Sequence, residues 1–138
     1  GDLVLVDLMP SPGPHQIGRW VSARFQTVAA AGYVTAMTIP LIDARCYTVK
    51  AHITAGTAVF ERMAGISKSA GVATMIAPGV IDQGTLSTIQ GANPPIDATI
   101  DTDGTDAIIL VRDDGFFASL NWAVQVLLVP SIPVGPPA

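Results

Sequence analysis

Ten residues near the end of the chain constrain its fold more than any others. Leu120, Trp122, Val124, Val126 and Leu128 alternate with Asn121, Ala123, Gln125, Leu127 and Val129. That is the period of an extended strand, whose successive side chains point to opposite faces. Both faces turn apolar toward the end, which suits a strand covered on two sides, by a second sheet or by a neighbouring subunit. The run closes the stretch 97–130, where three segments rich in β-branched or aromatic residues alternate with two Asp/Gly turns.

Earlier segments repeat the pattern. Residues 2–8 alternate weakly and predict an edge strand or an arm. Residues 9–14 (MPSPGP) read as a linker, since Pro12 and Pro14 have no N–H to give to a ladder. Val21, Ala23 and Phe25 against Trp20, Ser22, Arg24 and Gln26 predict a half-buried strand. Ala29-Ala30-Ala31-Gly32 could be helical by propensity, but Gly32 with Tyr33, Val34, Thr35, Thr38 and Ile39 favours a loop leading into a second strand, which Pro40 either ends or confines to a sheet edge. Tyr47, Val49, Ala51 and Ile53 mark the inner face of a third, with Thr48, Lys50, His52 and Thr54 outside. Strands are predicted over 59–64 and 72–77, with 65–71 a connection. A loop follows over 81–95, holding one short strand near 85–89. The tail 131–138 (SIPVGPPA) repeats Pro too often for any sheet. Short strands at this spacing, with Gly/Pro turns and no amphipathic helix, indicate an all-β sandwich or barrel. The expected division is an arm over 1–18, a sandwich over 19–130 and a Pro-rich tail over 131–138.

Charge narrows the possible partners. Charged residues make up 13% of the 138, against roughly 25% in an ordinary soluble domain. So little charge predicts that some apolar surface meets another chain, and the expected state is an oligomer. The seven basic residues are scattered singly and the net charge is −4, which argues against nucleic-acid binding. The longest apolar run falls far short of the ~20 residues that span a bilayer. No secretory signal is visible, and the opening Gly1 is read as the start of a processed or trimmed product. Cys46 has no internal partner and is read as a small buried group at a strand start.

Residues arranged for chemistry are few. His15 lies in the Pro/Gly linker, and His52 lies on a polar strand face beside Lys50 and Thr48; metal sites want several converging ligands. Gly65-Ile66-Ser67-Lys68-Ser69 begins like a nucleophile elbow but lacks its closing Gly, so it reads as a Ser-rich turn. Asp101, Asp103 and Asp106 around Gly104 suggest a calcium loop, but the EF-hand spacing and its terminal Glu are missing. A tight Asp-Gly hairpin turn with solvated acids accounts for them, and Asp113-Asp114-Gly115 reads the same way. Paired carboxylates for glycoside cleavage would need a cleft that keeps one protonated, and hairpin tips are exposed. No catalytic residue, metal or cofactor is expected.

Aromatic residues supply the candidate contacts. Trp122 belongs to an apolar face and is read as core. Trp20 lies on the polar face of its strand, where a subunit contact ranks ahead of core burial and of stacking on a sugar ring. Phe116 and Phe117, in or beside a turn, favour contact with another chain.

Taken in order, Gln26-Thr27, Thr38-Ile39-Pro40-Leu41, Tyr47-Thr48-Val49-Lys50-Ala51, Phe60, Ala64-Gly65, Gly71-Val72-Ala73-Thr74, Asp97-Ala98-Thr99-Ile100 and Asn121-Trp122-Ala123-Val124-Gln125-Val126 form a further pattern. Over roughly residues 19 to 130 it resembles small β-sandwich modules of tailed-bacteriophage virion proteins, especially at the ends of tail fibres, and of related gene-transfer particles. The closing Asn-Trp strand carries most of the likeness. The segment 113–117 departs from it, replacing the short Gly turn usual there. The resemblance implies an antiparallel, jelly-roll-like β-sandwich that assembles as a trimer on the virion exterior and performs no catalysis. Tail-fibre-type binding to a host receptor, a glycan or a protein, is the first function it implies. Capsid decoration or a head fibre that stabilises the particle is the second. Implied partners are further copies of this chain and other virion proteins. A free carbohydrate-binding module is the remaining alternative; it wants several exposed aromatics on one sheet face, and only Trp20 qualifies.

Overall fold

Alternation rather than propensity assigns the faces of every long strand. The computed structural model describes residues 3–8, 18–28, 32–86, 96–113 and 119–131. These form ten strands: β1 (Leu3–Leu8), β2 (Arg19–Val28), β3 (Val34–Ile39), β4 (Arg45–Ala55), β5 (Ala58–Ser69), β6 (Val72–Met75), β7 (Ile81–Leu86), β8 (Asp97–Thr102), β9 (Ala107–Arg112) and β10 (Ser119–Ser131). They make two antiparallel sheets. The larger runs β1-β2-β10-β4-β5-β6, with β7 also on β5, and the smaller runs β3-β9-β8. The chain crosses between them on leaving β2, β3, β7 and β9, so the two faces close on one core as a β-sandwich.

The expected all-β sandwich is therefore present. β10 is its centre: Ser119–Leu128 pair with β2 while Trp122–Ser131 pair with β4. Trp122, Val124, Val126 and Leu128 are buried with Val21, Val49, Ile53, Phe60 and Ile66. Ile100, Ile109, Val111, Met37 and Ile39 meet them from the smaller sheet, with Ile96 just before β8. A register shift between Thr35 and Met37 lets Ala36 and Met37 both face inward, as a β-bulge allows.

Several boundaries differ from expectation. Residues 65–69 are not a connection: β5 continues to Ser69, because Ala64 and Ile66 keep the inward phase and β4 offers partners as far as Arg45. The link to β6 is only Ala70-Gly71, both with positive φ, as a type I′ hairpin requires. β7 lies at 81–86 instead of 85–89. β10 runs on through Pro130 to Ser131. Pro130 is tolerated because β2 pairing has ended at Leu128, and only the β4 side remains. Pro40 follows directly on β3, itself a sheet edge. Leu3–Leu8 takes the edge-strand form, paired with β2.

Cys46 is exposed, not buried. It shares the phase of Thr48 and Lys50, and Tyr47 is the inward residue. Asp113 is 2% exposed rather than at an open tip, since it continues the inward phase of Val111 beyond β9. Asp114, Gly115, Phe116 and Phe117 lie outside the described residues.

Candidate functional site

Two surfaces are candidates: the face of the larger sheet that the smaller sheet leaves uncovered among the described residues, and a cleft where the two sheets meet along β5, β7 and β8.

On the uncovered face, strand register sets Trp20, Leu127, Lys50, Met63 and Ile81 in one row across β2, β10, β4, β5 and β7. Trp20 is 48% exposed. Beside the row stands Val129, against which a Cβ at Gly18 would approach to 3.1 Å. Ile76 lies over Gly65, where a Cβ would meet it at 3.3 Å. The next row along carries Ser22, Gln125, His52 and Glu61, and His52 Nδ1 pairs with the Glu61 carboxylate directly opposite. The second apolar phase of β10 thus lies on the face away from the smaller sheet, bordered by a polar row.

The cleft is built around Arg62. Its place in β5 is an inward one, between Phe60 and Ala64, and it is 5% exposed. A buried guanidinium must be saturated with acceptors. Its Nε–H donates to the carbonyl of Ala98 at 2.9 Å. Nη1 donates to Asp82 Oδ1 at 2.8 Å and to the carbonyls of Glu61 and Gly84, both at 3.0 Å. Nη2 donates to Thr85 Oγ1 at 3.0 Å and Asp97 Oδ1 at 3.3 Å. The guanidinium carbon also stands 5.3 Å from the centroid of the Phe60 ring. One side chain so ties β5 and β7 to β8 of the opposite sheet.

Asp97 takes a second donor, the hydroxyl of Tyr33. Burial first, then this bond, pushes the Tyr33 phenol above its ordinary value of 10.0. The Arg112 guanidinium stands 4.8 Å from the Tyr33 ring centroid, a cation–π distance. Tyr33, Arg62, Asp82, Asp97, Thr99 and Asp101 line most of an open cleft of about 410 Å³. No motif in the sequence marks this cleft. Its one legible signal was a charged residue in the inward phase of a long strand.

The Asp101–Asp106 segment differs from a two-residue turn. Thr102 and Ala107 are the last pair of the β8–β9 ladder, leaving a four-residue loop with Gly104 at φ 92°. Asp103 Oδ1 accepts the backbone N–H groups of Asp106 at 2.7 Å and Thr105 at 2.9 Å, and these hold its carboxyl below the ordinary value. Asp106 is not a solvated acid: it accepts the N–H of Leu41 at 3.1 Å and stands 3.5 Å from Lys68 Nζ. Lys68 Nζ in turn donates to the Leu41 carbonyl at 3.0 Å. Among the described residues no group of three His, Cys, Asp or Glu is placed to hold a metal ion.

No family model and no curated protein matches the chain. Among solved structures it is similar to a tailspike protein, gp49 from Acinetobacter baumannii bacteriophage Fri1, a capsular polysaccharide depolymerase. The identity is 10% and the TM-score 0.45, over 90% of this chain and 19% of that one. The chain thus spans about a fifth of that tailspike's length.

Proposed function

We propose that this domain is a non-enzymatic structural module of a phage particle's exterior. It works as an oligomer, a trimer, and serves host adsorption in the manner of a tail-fibre piece. The observation that carries this reading is the row Trp20, Leu127, Lys50, Met63 and Ile81 on a sheet face over which no second sheet lies among the described residues. Apolar patches rimmed by polar residues mark contact surfaces on small domains. The low charge content fits the same use. The virion setting rests on the strand-and-turn pattern ending in Asn121-Trp122. Two of the three carboxylates lining the cleft, Asp82 and Asp97, accept from the one Arg62 guanidinium.

Sedimentation of the 138-residue chain at micromolar concentration tests the assembly, and a stable monomer overturns it. Labelling the domain within an intact particle tests the setting. Tail-end density supports adsorption, whereas density over the capsid shell assigns the same surface to decoration or a head fibre.

A further inference from the structure

We propose that the cleft between Tyr33 and Asp101 binds a neutral saccharide. This deepens the adsorption reading by naming a ligand class and a place for it, away from the Trp20 face.

The cleft offers fixed polar groups and an aromatic ring. Its polar rim is rich in acceptors: the carboxylates of Asp82, Asp97 and Asp101, with the Thr99 hydroxyl among them. Vicinal hydroxyls of a sugar are donors at a spacing one carboxylate can bridge, and hydrogen bonds to a charged acceptor are about twice as strong as neutral ones. Asp82 and Asp97 are already oriented by Arg62, and Tyr33 by Asp97 and Arg112. A ligand therefore meets fixed groups, and less ordering free energy opposes binding. Tyr33 is 40% exposed and brings an aromatic surface to the cleft. Rigid amphipathic rings of this kind supply contact area to a partner that is apolar on one side and polar on the other. The C–H faces of a pyranose meet that description.

The same charges set the selectivity. Three carboxylates line the cleft, and its lining cation, Arg62, is buried with its N–H groups directed to protein acceptors. A uronic acid or a phosphate would bring a further negative charge close to them, and like charges at short range disfavour binding. An uncharged sugar carries no such cost.

The test is NMR titration of the ¹⁵N-labelled chain with methyl α-mannoside, methyl β-galactoside, maltotriose and glucuronate. A neutral sugar should shift amide signals of Tyr33, Thr99 and Asp101. Tyr33→Ala should weaken that binding at least tenfold. Asp101→Asn, at an exposed position that leaves the Arg62 cluster intact, should weaken it several-fold with an unchanged melting temperature. Glucuronate should bind at least tenfold more weakly than the best neutral sugar. Absence of shifts with every neutral probe overturns the proposal, as do shifts that map elsewhere, persist in both variants, or appear equally with glucuronate. Sedimentation reads the assembly separately, so a chain that oligomerises without binding sugar overturns the cleft proposal alone.

Discussion

The indole of Trp122 donates its Nε1–H to Thr27 Oγ1 at 3.0 Å, from β10 to β2 inside the core. Thr27 passes its own hydroxyl toward the carbonyl of Leu120 at 3.4 Å. Trp122 is 1% exposed and packs at 6.1 Å, ring to ring, with Phe60. A tryptophan can be buried this deeply because its one polar atom has a partner. Truncation to Ala should cost about 3–5 kcal/mol, much of the stability of a domain this size. Thr27→Val keeps the shape but orphans the indole N–H, and should cost about 1–3 kcal/mol. Denaturant melts check both; a Trp122→Ala melt near wild type contradicts the packing.

Trp20 should behave in the opposite way. It is on the uncovered face, so Trp20→Ala should leave chain stability within about 0.5 kcal/mol, as for ordinary surface changes. Sedimentation should show weakened assembly. An unaltered association constant would remove Trp20 from the contact surface.

Arg62 should be among the most sensitive positions. Arg62→Leu leaves the Ala98 carbonyl without this donor between the sheets, at about 1–3 kcal/mol for such a buried group, and removes the tie to Asp97. Asp82→Asn, at the exposed end of the network, should cost less than about 1 kcal/mol. Thermal melts of the two variants should separate clearly, and equal losses would mean that the bond across the sheets carries no weight.

The three aspartates of the β8–β9 loop should part company. Asp101→Asn should leave the melt unchanged. Asp106→Ala strips the acceptor from the buried Leu41 N–H and should cost about 1–3 kcal/mol. Asp103 is held by the N–H groups of Asp106 and Thr105. Its contribution is present above the ordinary value of 3.8 and fades as pH falls through the depressed one. A bound stabilising ion would raise the melting temperature by mass action; with no three His, Cys, Asp or Glu grouped to hold one among the described residues, calcium should leave it unchanged. A rise abolished by Asp101→Asn would reveal a binding loop.

Tyr33 should mark the alkaline limb of stability. Its folded value lies above 10.0, so between the two values the folded state keeps a proton that the unfolded chain has released. Stability from this group is therefore complete below about pH 10 and falls as pH rises through the folded value. Tyr33→Phe should flatten that limb in melting curves taken across it. A limb identical to wild type would assign the loss to other groups.

Strand phase was legible in the chain itself. The inward residues of β2, β4 and β10 follow from alternation alone, because a strand's side-chain period is two and a sandwich buries one face. Even Arg62 and Cys46 obey it; reading each by residue type rather than by phase is what misplaces them. Tertiary structure alone decided which strands become neighbours and what the loops touch. Asp106 meets Leu41 and Lys68, and Asp97 meets Arg62 and Tyr33, because β9 pairs with both β3 and β8 and this sheet closes over β5. Those partners lie 35 to 65 residues apart in the chain. A local pattern carries no information about contacts at that separation, since they form only when the second sheet folds back over the first.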